Sequence, residues 1–345
     1  MFVNKTFKIF SLIRFTGRPT LYLFSWSMLI YILHAFFHDN WIQVPWLPIS
    51  VIGTAVAFYV GFKNNQAYDR LWEARKIWGA IVNSSRAWGS VARSYLSSQF
   101  SAQSFSIEEL KKYQQKLIHR HIAWLYALRS QLLIPTSWEH ISQGSFGRKR
   151  TEAQMKRFGV GLIDDHSTED TLRKYLPHDE YEELINYKNT ATQIIDAQAQ
   201  CLTKLRGKEM IDDFRHMEMQ KILYDFYVHQ GKAERIKKFP LPRQYGHSSH
   251  IFTLIFLSLL PFGMITEFHK LGEAAAWLSV PFSVMVGWVF IMMEMIGDYS
   301  ENPFEGLGND IPMLALCRTI EIDLLEMMGT KDTPKPIQAV QGVLM

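Results

Sequence analysis

The chain of 345 residues is long enough for two average soluble domains, or for one membrane protein with a sizeable soluble part. Its mean hydropathy of −0.07 is low for a protein that is membrane-embedded throughout, so any spanning segments must be segregated. The net charge of +4 gives no reason to invoke nucleic acid, and two cysteines, Cys201 and Cys317, are too few for a disulfide framework.

The segregation is visible in chain order. Pro19 to Phe37 carries no Lys, Arg, Asp or Glu, with His34 its one group titrating near neutrality. It is too long for the apolar core of a signal peptide, and no small-residue cleavage pattern follows, so it reads as a retained first span. Trp41 to Phe62 is again free of charge, and so are Ile251 to Thr266 and Ala274 to Met293. Each meets or approaches the roughly 20 apolar residues needed to cross a bilayer. Four spanning helices are therefore expected, over about 19–38, 41–62, 248–268 and 274–296. The third and fourth contain Pro261 and Pro281, where kinks are expected.

Two stripes at helical spacing lie within the second stretch. Gly53, Ala57 and Gly61 recur every four residues, and so do Thr54, Phe58 and Phe62. Residues at i, i+4 and i+8 share one face of a helix. The small stripe permits close approach of helix backbones. The bulky stripe, aimed at a common axis in a ring of helices, would form a hydrophobic constriction that gates by dewetting. Small-xxx-small patterns and lipid-facing phenylalanines are also ordinary in membrane helices, so spacing alone leaves both readings open.

Lysine and arginine set the expected orientation. Lys5, Lys8, Arg14 and Arg18 precede the first span, whereas His38-Asp39-Asn40 joins the first two spans without a Lys or Arg. Lys63, Arg70, Arg75 and Lys76 follow the second span, and Arg235, Lys237, Lys238 and Arg243 precede the third. The link between the third and fourth carries only Lys270. Both termini and the segments 63–245 and 297–345 are thus expected in the cytoplasm, with the spans in the plasma (inner) membrane. Trp41, Trp46, Trp277 and Trp288 suggest an interfacial aromatic belt.

The polar middle is expected to be helical. Tyr68 to Trp78 is amphipathic and continues the second span. Further helices are expected over Ile107–Leu133, Glu180–Leu205 and Lys208–Gln230. Thr136 to Thr151, rich in Gly, Ser and Thr after Pro135, reads as a loop. Pro240 and Pro242 mark the return to the membrane. No alternation of strand type, no internal repeat and no phosphate-binding or nucleophile motif is evident.

Candidate chemistry is sparse. His247 and His250 lie three residues apart, and Glu294 and Asp298 one helical turn apart. A membrane-embedded metal site built on these four is one alternative, but polar residues at a membrane entry explain them equally well. No cofactor or metal is expected. A non-conducting membrane scaffold is a further alternative.

The segment Gly61-Phe62-Lys63-Asn64-Asn65-Gln66-Ala67-Tyr68-Asp69-Arg70-Leu71-Trp72-Glu73-Ala74-Arg75-Lys76-Ile77-Trp78-Gly79 resembles the second-helix block of prokaryotic bestrophins. Glu301-Asn302-Pro303-Phe304-Glu305-Gly306, Asn309-Asp310-Ile311-Pro312-Met313 and Ile320 to Leu325 resemble that family's second block. The resemblance covers nearly the whole chain. It implies an all-α membrane protein, not an enzyme: a homopentameric ion channel with four membrane helices per subunit, long cytoplasmic helices and one central pore. It implies a pore neck of Thr54, Phe58 and Phe62, with Gly53, Ala57 and Gly61 packing beside it, and a cytoplasmic aperture near Phe214. The implied ions are monovalent: anions such as chloride by the two successive aromatic rings, with sodium or potassium as the alternative. Two departures stand out. Glu305 to Asp310 lacks the aspartate run with which animal members hold calcium, and Thr54 is polar where the family neck is usually apolar.

Overall fold

The computed structural model describes residues 1–6, 9–37, 44–99, 101, 104–158 and 166–345. Lys8, the His38–Asn40 link and Trp41 lie outside the described residues. Eleven α-helices run in chain order among the described residues: α1 (Ile9–Phe37), α2 (Trp46–Ser94), α3 (Ile107–Leu133), α4 (Ser145–Phe158), α5 (Ser167–Tyr175), α6 (His178–Leu184), α7 (Thr190–Gly207), α8 (Asp213–Lys238), α9 (Arg243–His269), α10 (Ser279–Asp298) and α11 (Met313–Met327). Extended pairing among the described residues is limited to two isolated bridges, Phe2 with Val343 and Val340 with Val343. The fold is all-α, and four of its helical segments are long and apolar enough to cross a membrane.

The chain forms two units. One holds Asn4–Arg70 and Pro240–Glu301, the other Met1–Val3, Leu71–Phe239 and Asn302–Met345. Helix α2 contributes its residues up to Arg70 to the first and those from Leu71 to the second.

In the first unit α1 packs against α9 and α10, and α9 against α10. A small core of Ile49, Val56 and Val60 from α2 with Phe256 and Leu260 from α9 excludes solvent completely or nearly so. Indole N–H groups add directional ties: Trp26 donates to the Ser258 carbonyl (3.0 Å), and Trp288 to Thr16 Oγ1 (2.9 Å). Trp288 thus serves as a donor between α10 and α1. Away from these contacts the helices show apolar side chains outward, among them Leu21, Leu29, Leu254, Phe282 and Met285. That pattern suits a hydrocarbon solvent and not water.

Pro281 does not kink a helix. The fourth apolar stretch is divided: Glu273–Leu278 is a 3-10 turn, and α10 starts at Ser279. Pro281 therefore sits in the first turn, where its missing N–H has no intrahelical acceptor to lose. Pro261 does lie inside α9.

The second unit has a large core contributed by α2, α3, α5, α7, α8 and α11, with Trp78, Trp88, Trp124, Tyr126 and Phe226 almost wholly enclosed. Three helix starts are capped as side-chain chemistry dictates: Ser106 accepts from Glu109 N–H, Asn189 from Thr192 N–H, and Asp212 from Phe214 and Arg215 N–H. Asp212 explains why α8 begins at Asp213 and not at Lys208. The helix expected over Glu180–Leu205 is broken between Leu184 and Thr190, because the Asn189 cap restarts it. Thr136 to Thr151 is not all loop either, since it holds a 3-10 turn at His140–Ser142 and the start of α4.

Several buried polar side chains in this unit are paired. Glu321 on α11, 2% exposed, accepts from Tyr126 and Tyr175, both at 2.6 Å, and lies 3.1 Å from Arg318 Nε. Burial, reinforced by the Glu321 carboxylate, raises the pKa of both tyrosines and keeps them as donors. His121 is enclosed with Trp88, Trp124 and Phe226 and hydrogen-bonds Ser85 (2.8 Å). Its pKa is lowered to about 3 by burial, which keeps the imidazole neutral.

The segment Asn302–Asp310 is almost entirely enclosed. Glu305 accepts from Asn302 Nδ2 (2.8 Å) and His140 N–H (3.2 Å), and pairs with His140 Nδ1 (2.8 Å). Lys237 pairs with Glu139. Asp310 accepts from Leu307 N–H at 2.9 Å. Burial pushes the Asp310 carboxyl up to about 8, with the Glu305 charge adding to the rise. Below that pH the folded chain keeps a proton that the unfolded chain releases near pH 3.9, so this residue's contribution to stability falls as pH rises from about 4 to about 8. Asp310→Asn keeps an acceptor for Leu307 and carries no charge. It is expected to raise the thermal midpoint of detergent-purified protein more at about pH 8.5 than at about pH 5. Equal gains at both pH values would contradict the assignment.

Candidate functional site

The described part of the second apolar stretch lies on α2, and the helix continues unbroken through Phe62 to Ser94. Val56 and Val60 are buried, whereas Thr54, Phe58 and Phe62 stand on an exposed face. Phe58 is 69% exposed and Phe62 58% exposed. Large aromatic side chains this open, one turn apart on a helix whose Val56 and Val60 are packed, form an exposed apolar ridge. Their rings lie 5.3 Å apart at 65°, edge to face, so each restrains the other. Thr54 turns its hydroxyl hydrogen back to the Ser50 carbonyl at 2.9 Å, which satisfies the donor within the helix. Beyond Phe62 the exposed positions include the polar Asn65, Gln66 and Asp69 beside the aromatic Tyr68 and Trp72.

The small stripe divides. A Cβ on Gly53 would meet the Phe256 ring at 2.6 Å, so glycine there makes room for α9. Gly61 has nothing within 4 Å of its missing Cβ, and Ala57 is half-buried.

Phe214 is the second residue of α8 and is 85% exposed, next to a cavity of about 910 Å³ that it lines with Tyr95, Met217 and Tyr224. Met217 and Tyr224 are themselves 69% and 59% exposed, giving α8 a second open apolar face.

The four residues of the alternative metal site do not converge on a metal. His247 and His250 lie on the exposed side of α9. Glu294 is buried and both its oxygens are engaged, Oε1 by Lys63 Nζ at 2.5 Å and Oε2 by Ser249 Oγ at 2.6 Å. Among the described residues no group of three or more His, Cys, Asp or Glu is placed to hold a metal ion.

The Lys63–Glu294 pair is the feature that sequence reading missed. Its signal is positional: Lys63 is the first charge after the second apolar run, and Glu294 the first after the fourth. Two lone opposite charges at the ends of two spans are candidates for each other, because an unpaired one is costly there.

Similarity to known proteins extends over most of the chain. The voltage-dependent anion channel-forming protein YneE of Escherichia coli K12 is 26% identical over 317 residues, covering 92% of this chain and 87% of that one. A voltage-dependent anion channel-forming protein of Mesorhizobium japonicum is 24% identical over 292 residues, covering 85% and 78%. Among solved structures, a bacterial bestrophin homologue from Klebsiella pneumoniae shares the fold with a TM-score of 0.71 at 22% identity, over 91% of this chain and 98% of that one. The model of the bacterial and fungal bestrophin family matches residues 11–326. The chain therefore belongs to the bestrophin family: it is a membrane protein of a channel family and not an enzyme.

Proposed function

We propose that five copies of this chain form an anion channel in the plasma (inner) membrane, with both termini cytoplasmic. Chloride is the ion assigned. One observation carries the reading: Thr54, Phe58 and Phe62 project from α2 while the valines between them are packed. In a ring, such a ridge has a common axis to face. Ten phenyl rings in succession would make a narrow, dry neck. The naming of its relatives as anion channel-forming proteins supports the choice of ion.

In this reading Gly53, Ala57 and Gly61 pack beside the neck. Phe256 of the same subunit takes up the space at Gly53, and the space at Gly61 takes the adjacent subunit. Phe214, on the cytoplasmic part, forms a second constriction with its exposed apolar neighbours on α8.

Particles in mild detergent should have the mass of five 40.2 kDa chains, and liposomes containing them should release chloride. A monomer, a dimer or tight liposomes would refute the proposal. Calcium is not part of the assignment, because His140 and Asn302 already occupy Glu305. Chelation should leave bilayer currents unchanged. Currents that vanish on chelation and return with calcium at about micromolar levels would contradict this.

A further inference from the structure

We propose that Lys63, Glu294 and Ser249 are positioning residues for the constriction: a buried ion pair that fixes the rotation of α2 and so the aim of Phe62. The inference rests on the channel reading above. Successive residues of a helix point about 100° apart, so the direction of Lys63 sets the direction of Phe62. Lys63 turns inward: its side chain is 2% exposed, and its partner Glu294 on α10 is 10% exposed. Ser249 on α9 donates to the other carboxylate oxygen, so the acid is gripped from two helices at once. Asn64 extends the clasp by donating to the Met293 carbonyl at 2.9 Å. A Cβ at Gly297 would overlap Asn64 Oδ1, so α10 can approach α2 this closely only with glycine there.

The placement decides between two ways a lysine next to a constriction can act. A charge facing the pore would attract anions directly. Lys63 is buried and neutralised by Glu294, so its influence on ions passes through the geometry of Phe62. Removing one member of a buried pair leaves an uncompensated charge. The long lysine stem can then carry its ammonium toward water, which turns the helix face that bears Phe62.

The test is a double-mutant cycle in planar bilayers on particles whose ring mass has been checked. Phe62→Ala, Glu294→Gln and the double variant are compared by chloride-to-sodium permeability ratio. Glu294→Gln alone should change the ratio by about threefold or more, and should add nothing in the Phe62→Ala background. Lys63→Arg, which keeps the charge, should retain the parental ratio. A merely structural weakening would lower yield or thermal midpoint but would not make the two changes non-additive in permeability. Equal effects of Glu294→Gln with and without Phe62 would overturn the inference while leaving the constriction intact, and so would no effect of Glu294→Gln in either background. If Phe62→Ala itself changes nothing, Phe62 is not part of the constriction and the inference fails with that assignment, whereas particles that pass no current refute the channel reading itself. Should Glu294→Gln not assemble, Ser249→Ala removes one hydroxyl from the same carboxylate and carries the same cycle, with the same outcomes deciding.

Discussion

Phe58→Ala is expected to raise conductance or open probability severalfold and to weaken discrimination among ions. Two effects add. The substitution removes a ring that is 69% exposed and, in the proposed neck, would widen the passage where it is driest. It also removes the edge-to-face partner of Phe62, a contact worth about 0.5–1.5 kcal/mol beyond area burial, so the second ring loses its restraint. Leu29→Ala is the control. Leu29 is 45% exposed on α1, outside the Thr54/Phe58/Phe62 stripe, and its loss should change little. Single-channel recording on ring-shaped particles checks both. If Phe58→Ala leaves current and selectivity at parental values, α2 does not line the gate, and the assignment of Thr54, Phe58 and Phe62 fails.

Glu321→Ala should cost the most stability of any single change considered. The carboxylate is 2% exposed and serves Tyr126, Tyr175 and Arg318 together. Its removal leaves the Tyr126 and Tyr175 hydroxyls without their acceptor in the largest core of the chain and takes the counter-charge from Arg318. Losing one partner of such a buried charged network costs about 3–5 kcal/mol. Tyr126→Phe or Tyr175→Phe, which each remove one donor, should cost about 1 kcal/mol. The expected result is that Glu321→Ala yields little folded protein, while each Tyr→Phe variant folds with a modestly lowered thermal midpoint. A Glu321→Ala midpoint equal to that of the parent would show that the network does not hold α11 in place.

These two sites differ in how legible they are in the sequence. The Thr54/Phe58/Phe62 stripe can be read because helical periodicity is local: spacing alone puts three residues on one face, and the charge-free flanks say what solvent surrounds it. Nothing local says whether that face meets lipid, a helix or a pore, so the family resemblance had to carry the step. Glu321 is the opposite case. Glu321-Ile322-Asp323 reads as the wet side of an amphipathic helix, because its partners lie far back in the chain on α3 and α5. Long-range pairing leaves no periodic trace. The same holds for Lys63 with Glu294, separated by 231 positions. Helix ends were missed where a single side chain decides them, as Asn189 and Asp212 do by capping. Pro281 was misread as a kink because its effect depends on where the helix starts, and the 3-10 turn before Ser279 moves that start.

The most direct test of the central claim is the reversal potential of purified protein in a planar bilayer with asymmetric sodium chloride. An anion channel with a hydrophobic neck should reverse near the chloride equilibrium potential, and the shift should shrink in Phe58→Ala. Reversal near the sodium equilibrium potential would assign the pore to cations, and a bilayer with no current at all would refute the channel.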